Sequence, residues 1–80
     1  MVKEFPYYIA WTDAMREGQK YVGLIEYQRK LPGANVQILW VVSPNLNEQR
    51  DAEIAAIGML NHIREITASG RIIYSDGVAL

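Results

Sequence analysis

The sequence predicts a two-layer α+β domain of the order β-β-β-α-β, with a mixed four-stranded sheet arranged 3-2-1-4 and one long helix on one face. Three observations carry that expectation. Three stretches within residues 5–42 alternate with the period of a strand, residues 45–66 carry an apolar stripe at helical spacing, and a short β-branched run follows at 71–74. A chain of 80 residues holds one such domain, because a second core would have too little chain to fill it.

Residues 5–12 are rich in aromatic and β-branched side chains and read as the first strand. Pro6 marks an edge or an irregular start, since proline cannot donate to a ladder. Residues 13–18 read as a polar connection, 21–29 as the second strand and 36–42 as the third. Between the last two, Leu31-Pro32-Gly33-Ala34 reads as a turn, in which Pro pre-sets φ and Gly accepts a positive one. Asn45 followed by Glu48 fits a capping box, and Glu48 and Asp51 suit the positive end of the helix dipole. The helix then runs through Ile66 to a stop at Ser69-Gly70. A helix that returns the chain to a parallel strand crosses right-handed, which puts residues 71–74 beside the first strand.

Composition narrows the function. The chain is 50% apolar and 21% charged, as an ordinary globular protein is and a disordered one is not. Eight Lys and Arg against nine Asp and Glu give a net charge of −1, short of the basic excess that phosphate neutralisation on duplex DNA calls for. With no cysteine, thiolate metal sites, thiol nucleophiles and disulfides are excluded. No signal-peptide stretch follows Met1, and the longest purely apolar run, residues 38–42, falls far short of the roughly 20 residues of a membrane span. A cytoplasmic protein without membrane contact is expected.

The strand patterns assign the two sheet faces. Phe5, Tyr7, Ile9 and Trp11 form the apolar parity of the first strand, Tyr21, Gly23, Ile25 and Tyr27 that of the second, and Val36, Ile38, Trp40 and Val42 that of the third. A two-residue turn at Pro32-Gly33 pairs Tyr27 with Ile38 and Ile25 with Trp40, in agreement with those sets; a three-residue loop breaks the agreement. The helix supplies the second layer with Ala52, Ala55, Ala56, Met59, Leu60, Ile63 and Ile66, its alanines lying against the bulky Trp11 and Trp40.

The other parity is then left open, and it carries Tyr8, Ala10, Val22, Leu24, Leu39 and Val41. Ile54 and Ile57 fall on the outer side of the helix. Contiguous apolar surface of this kind marks an interaction site unless something covers it, and the tail at residues 78–80 is the competing cover. Tyr8, Val22, Leu24, Leu39, Val41, Ile54 and Ile57 are therefore the expected protein-binding residues. The sheet face is the expected homodimer contact, and the helix patch is left for an unidentified protein partner.

Catalysis finds little support. His62 is the lone histidine, Ser43, Ser69 and Ser75 lack a glycine-flanked elbow, and the glycines are too dispersed to cradle a phosphate. One histidine with scattered carboxylates makes no zinc set, so no catalytic residue, metal or cofactor is assigned. The alternative is a nucleic-acid-binding module using Lys20, Arg29, Lys30 and Tyr8. It needs aromatics on the open face, and the register above leaves mainly Tyr8 there; a shift of one residue reverses that.

The predicted element order resembles the truncated ribonuclease-H-like unit of HicB-type antitoxins and, more loosely, double-stranded-RNA-binding domains. That resemblance is architectural, and no residue is carried over from it. The expected function is that of a small non-catalytic protein-binding protein: an inhibitor of the kind phages encode, an antitoxin-like factor or an adaptor.

Overall fold

A computed structural model describes residues 1–40 and 46–76. It shows a four-stranded antiparallel sheet, one helix and a second, two-stranded sheet. Strand β1 is Val2–Glu4, β2 Tyr8–Glu17, β3 Lys20–Arg29 and β4 Val36–Trp40; helix α1 is Gln49–His62, followed by β5 Ile63–Ile66 and β6 Ile72–Tyr74.

Several expectations are corrected here. The large sheet has the order 1-2-3-4, not 3-2-1-4, and is antiparallel throughout rather than mixed. The architectural resemblance rested on the chain order β-β-β-α-β, whereas the chain order is β-β-β-β-α-β-β. Residues 2–4 are a strand of their own, folded back on β2 by the turn at Phe5-Pro6-Tyr7, where the Phe5 N–H donates to the Tyr8 carbonyl at 2.8 Å. The supposed connection at 13–18 is the far half of β2. Its polar residues suit a long hairpin closed by Gly18-Gln19, with Gly18 at φ +62° in the first central position, as in a II′ turn.

The helix is shorter than expected. Glu48 is its N-cap, with extended backbone and no side-chain capping bond, and Asn45 lies outside the described residues. It stops at His62, where Lys3 reaches over from β1: its Nζ donates to the Ile63 carbonyl at 2.6 Å and the Leu60 carbonyl at 3.4 Å. A cation at those orphan carbonyls satisfies the negative end of the helix. Ile63 and Ile66 then enter the core from β5, which pairs with β6 and not with the large sheet. The register of β5 shifts between Ile63 and Glu65. Such an irregularity lets two residues three apart point the same way, as they would in a helix.

Ala10, Ile25, Ala56, Leu60, Ile63 and Ile66 form the centre of the core, closed by Phe5, Tyr8 and Ile72. Where α1 meets the sheet the side chains vanish. A Cβ on Gly23 would stand 2.5 Å from the Ala52 carbonyl oxygen and 3.3 Å from the Ala56 Cβ. The alanine face therefore lies against a glycine, not against tryptophans.

That close approach goes with a revised assignment of faces. The β3 parity is the expected one, since Gly23 and Ile25 face the helix. Strand β2 is inverted: Ala10 pairs with Tyr27 and Thr12 with Ile25, so Tyr8 and Ala10 lie under the helix while Ile9 and Trp11 lie on the other side. Strand β4 is inverted too, because the hairpin register is one residue away from the expected one. Leu24 pairs with Trp40, Ile25 with Leu39 and Glu26 with Ile38.

Candidate functional site

The sheet face turned away from α1 is laid out by the strand register. Its rows read Glu4, Ile9, Gln28, Val36; then Val2, Trp11, Glu26, Ile38; then Asp13, Leu24, Trp40; then Met15, Val22. No element among the described residues covers it: Ile38 is 50% exposed, Trp40 48% and Met15 46%. Leu24 is buried although it stands outside the main core cluster. It sits in the middle row between Asp13 and Trp40 and forms the floor of the face.

Two carboxyls interrupt this apolar surface, Glu26 within it and Asp13 exposed at its β2 edge, since β1 ends at the level of Trp11. Asp13 and Glu26 are diagonal neighbours on β2 and β3, on the same side of the sheet. Desolvation raises the Glu26 pKa above the ordinary glutamate value, and the hydrogen bond and negative charge of Asp13 raise it further; the Trp11 indole N–H, donating to it, partly offsets this. The chain's cations on this side are taken up at the two ends. Lys30 bridges to Glu4, whose carboxyl is held below the ordinary value by that hydrogen bond and charge, and Lys20 donates to Asn47 Oδ1.

The expected protein-binding residues divide accordingly. Val22 and Leu24 belong to the open face as anticipated. Tyr8 and Leu39 do not. Tyr8 is buried in the core with its ring 5.9 Å from that of Tyr27, and Leu39 packs against the same cluster. Val41 lies outside the described residues, as do residues 78–80, the anticipated cover of the face. On α1, Ile54 is exposed and Ile57 half-buried. Trp11, Ile38 and Trp40 are the residues that sequence reasoning misplaced, and Asp13, read as part of a connection, was missed, while Glu26 lies on the open parity as its place in β3 implied. The small residues at 23, 52 and 56 were the available signal, since only the parity opposite the tryptophans lets the helix approach so closely.

The nucleic-acid candidates come out differently. Arg29 donates from Nη1 to the Ala68 carbonyl, Lys20 and Lys30 are engaged as above, and Tyr8 is buried. The β4 shift and the inverted β2 parity do bring two tryptophans to the open face, but with the Glu26 carboxyl between them and Asp13 beside Trp11.

His62 Nδ1 lies 3.4 Å from Ser75 Oγ in an exposed pair near the end of α1. Among the described residues no three His, Asp or Glu side chains gather as a metal site, and no helix is long and apolar enough to cross a membrane. Comparison of the chain with protein-family models, with characterised proteins and with solved structures finds no match.

Proposed function

We propose that this chain is a small non-catalytic protein-binding protein that works by burying the open face of its sheet against another protein. The observation that carries the reading is the face itself: Val2, Met15, Val36, Ile38 and Trp40 stand 44–65% exposed around buried Leu24. Contiguous apolar surface on this scale marks an interaction site.

The magnitudes say what kind of contact it is. Covering five half-exposed side chains gains on the order of 4–8 kcal/mol, about half the value for full burial. Association costs about 4–15 kcal/mol in lost rigid-body freedom. Apolar area alone therefore does not sustain a stable complex, and the partner has to add polar complementarity. A second copy stacked on this face adds none at its centre. A two-fold axis sets the patch against itself, and the lysines a copy brings on this parity, Lys20 and Lys30, are held at its ends by Asn47 and Glu4. Burying carboxylates without a partner charge is costly. The homodimer expected from the sequence thus gives way to a different protein as the favoured occupant. The same carboxyls, beside the tryptophans that could stack bases, oppose a nucleic-acid backbone.

The test is affinity capture on the folded wild type, Trp40→Glu and Ile54→Glu. A protein retained in stoichiometric amount by wild type and Ile54→Glu, but lost from Trp40→Glu, supports the open face. Recovery only of nuclease-sensitive, salt-labile material sinks the reading in favour of nucleic acid. Loss with Ile54→Glu alone moves the interface to the helix.

A further inference from the structure

Charge set into the open face defines the chemistry of what it receives. Three placements bear on this. Asp13 and Glu26 are diagonal neighbours across β2 and β3, so their carboxyls share one small area. The area is framed by apolar groups, with Trp11 and Ile38 in the row of Glu26 and Leu24 and Trp40 in the row of Asp13. The lysines of this parity, Lys20 and Lys30, sit at its ends and are held by Asn47 and Glu4, and the Met1 ammonium is bonded to Thr12 Oγ1. A paired negative charge bordered by apolar groups, with these cations engaged elsewhere, complements a positive charge inside an apolar segment.

We propose that the open face receives a protein segment presenting an arginine or lysine among apolar side chains, with the cation seated between the Asp13 and Glu26 carboxyls. This rests on the reading of that face as protein-binding. Arginine suits the position better than lysine. Its planar fork donates to both carboxyls at once and stacks on an indole, and Trp11 and Trp40 flank the pair. The apolar neighbours of the cation cover Ile38, Leu24 and Met15 and exclude water, which strengthens the charge contact. The pKa of Glu26, raised by desolvation and then by Asp13, fits the same arrangement, because an arriving cation supplies a counter-charge to the partly desolvated carboxyls.

Panning a randomised linear peptide library against the immobilised full-length chain tests this. The enriched peptides should carry Arg or Lys between apolar or aromatic residues. They should bind the Asp13→Asn/Glu26→Gln double variant at least about tenfold more weakly, the scale for removing one side of a desolvated charge pair. Circular dichroism confirms that the variant is folded. Enriched peptides without a cation, or cationic peptides indifferent to the double variant, overturn the proposal. In either case, loss of their binding with Ile38→Glu leaves the protein-binding reading of the face standing. No enrichment overturns it as well; light scattering then separates a dimer disrupted by Ile38→Glu, which makes a second copy the occupant, from a monomer, which removes the face as a binding surface.

Discussion

The two faces of the large sheet carry similar amounts of apolar material and are used in opposite ways. The face under α1 holds small and medium side chains, Ala10, Gly23 and Ile25, fitted against Ala52, Ala56 and Leu60. The open face holds the larger ones, Trp11, Ile38, Trp40 and Met15, around a pair of carboxyls. The difference lies at the point of contact with α1, where Gly23 meets Ala52 and Ala56, while Tyr8, Tyr27 and Leu39 fill the covered face around it. A helix packs closely only where the sheet beneath it is small, and neither tryptophan fits at that contact. The covered face is therefore sensitive to volume and the open face to charge.

Substitutions of matched chemistry on the two faces break or sharpen that contrast. Ile25→Ala empties a fully buried position and should cost about 2–5 kcal/mol in urea unfolding, whereas Ile38→Ala on the open face should change stability by less than about 1 kcal/mol. Equal losses at the two positions would mean that the open face is covered in the free protein. Gly23→Ala tests the close approach from the other side. Its Cβ would meet backbone at Ala52, which cannot swing away, so a loss of about 1–3 kcal/mol is expected in thermal melts, with none from Gly58→Ala, whose Cβ meets open space.

Lys3→Met keeps the aliphatic stem but removes the donor to the Ile63 and Leu60 carbonyls. About 1–2 kcal/mol should be lost, and amide exchange should quicken at the last turn of α1 and the start of β5 while the β2–β3 hairpin keeps its protection.

The smallest effect is a pH dependence confined to the open face. The folded pKa of Glu26 stands above its unfolded value, so the fold favours the protonated form. Wild-type stability relative to Glu26→Gln should be highest below the unfolded pKa and fall as pH rises through the folded one. Glu4 acts the other way: its pKa is lowered by Lys30, so its contribution is present above the unfolded value and lost as pH falls through the folded one. The difference between wild type and Glu26→Gln cancels the Glu4 part. A difference that does not change with pH would show that desolvation and Asp13 together do not raise the Glu26 pKa in the folded chain.

How much of this was legible varies by element. The β3 parity, the turn at residues 31–34, and Ala52, Ala56, Leu60, Ile63 and Ile66 as core positions follow from side-chain type and spacing alone. Local periodicity states which residues are buried together. It states less well by which element they are buried, since Ile63 and Ile66 match a helical turn and an irregular strand equally. At the candidate site, Val22 and Leu24 were legible because β3 has only one parity compatible with Gly23 under the helix. The tryptophans were not. In β2 and β4 both parities are apolar enough to be core, and pattern then gives no preference.

By itself the sequence determined an α+β chain with its helix after the strands of the large sheet and a short strand at the end. It did not determine where the last strand pairs, where the helix ends or which side of the sheet holds the tryptophans, and the expectation on each is overturned. Those three were decided by contacts between residues far apart in the chain. The last strand pairs with residues 63–66, the Lys3 ammonium closes the helix against carbonyls some 60 positions away, and the backbone of Ala52 touches Gly23 where no side chain fits. Each depends on the distance between elements once packed, a quantity that no local pattern contains.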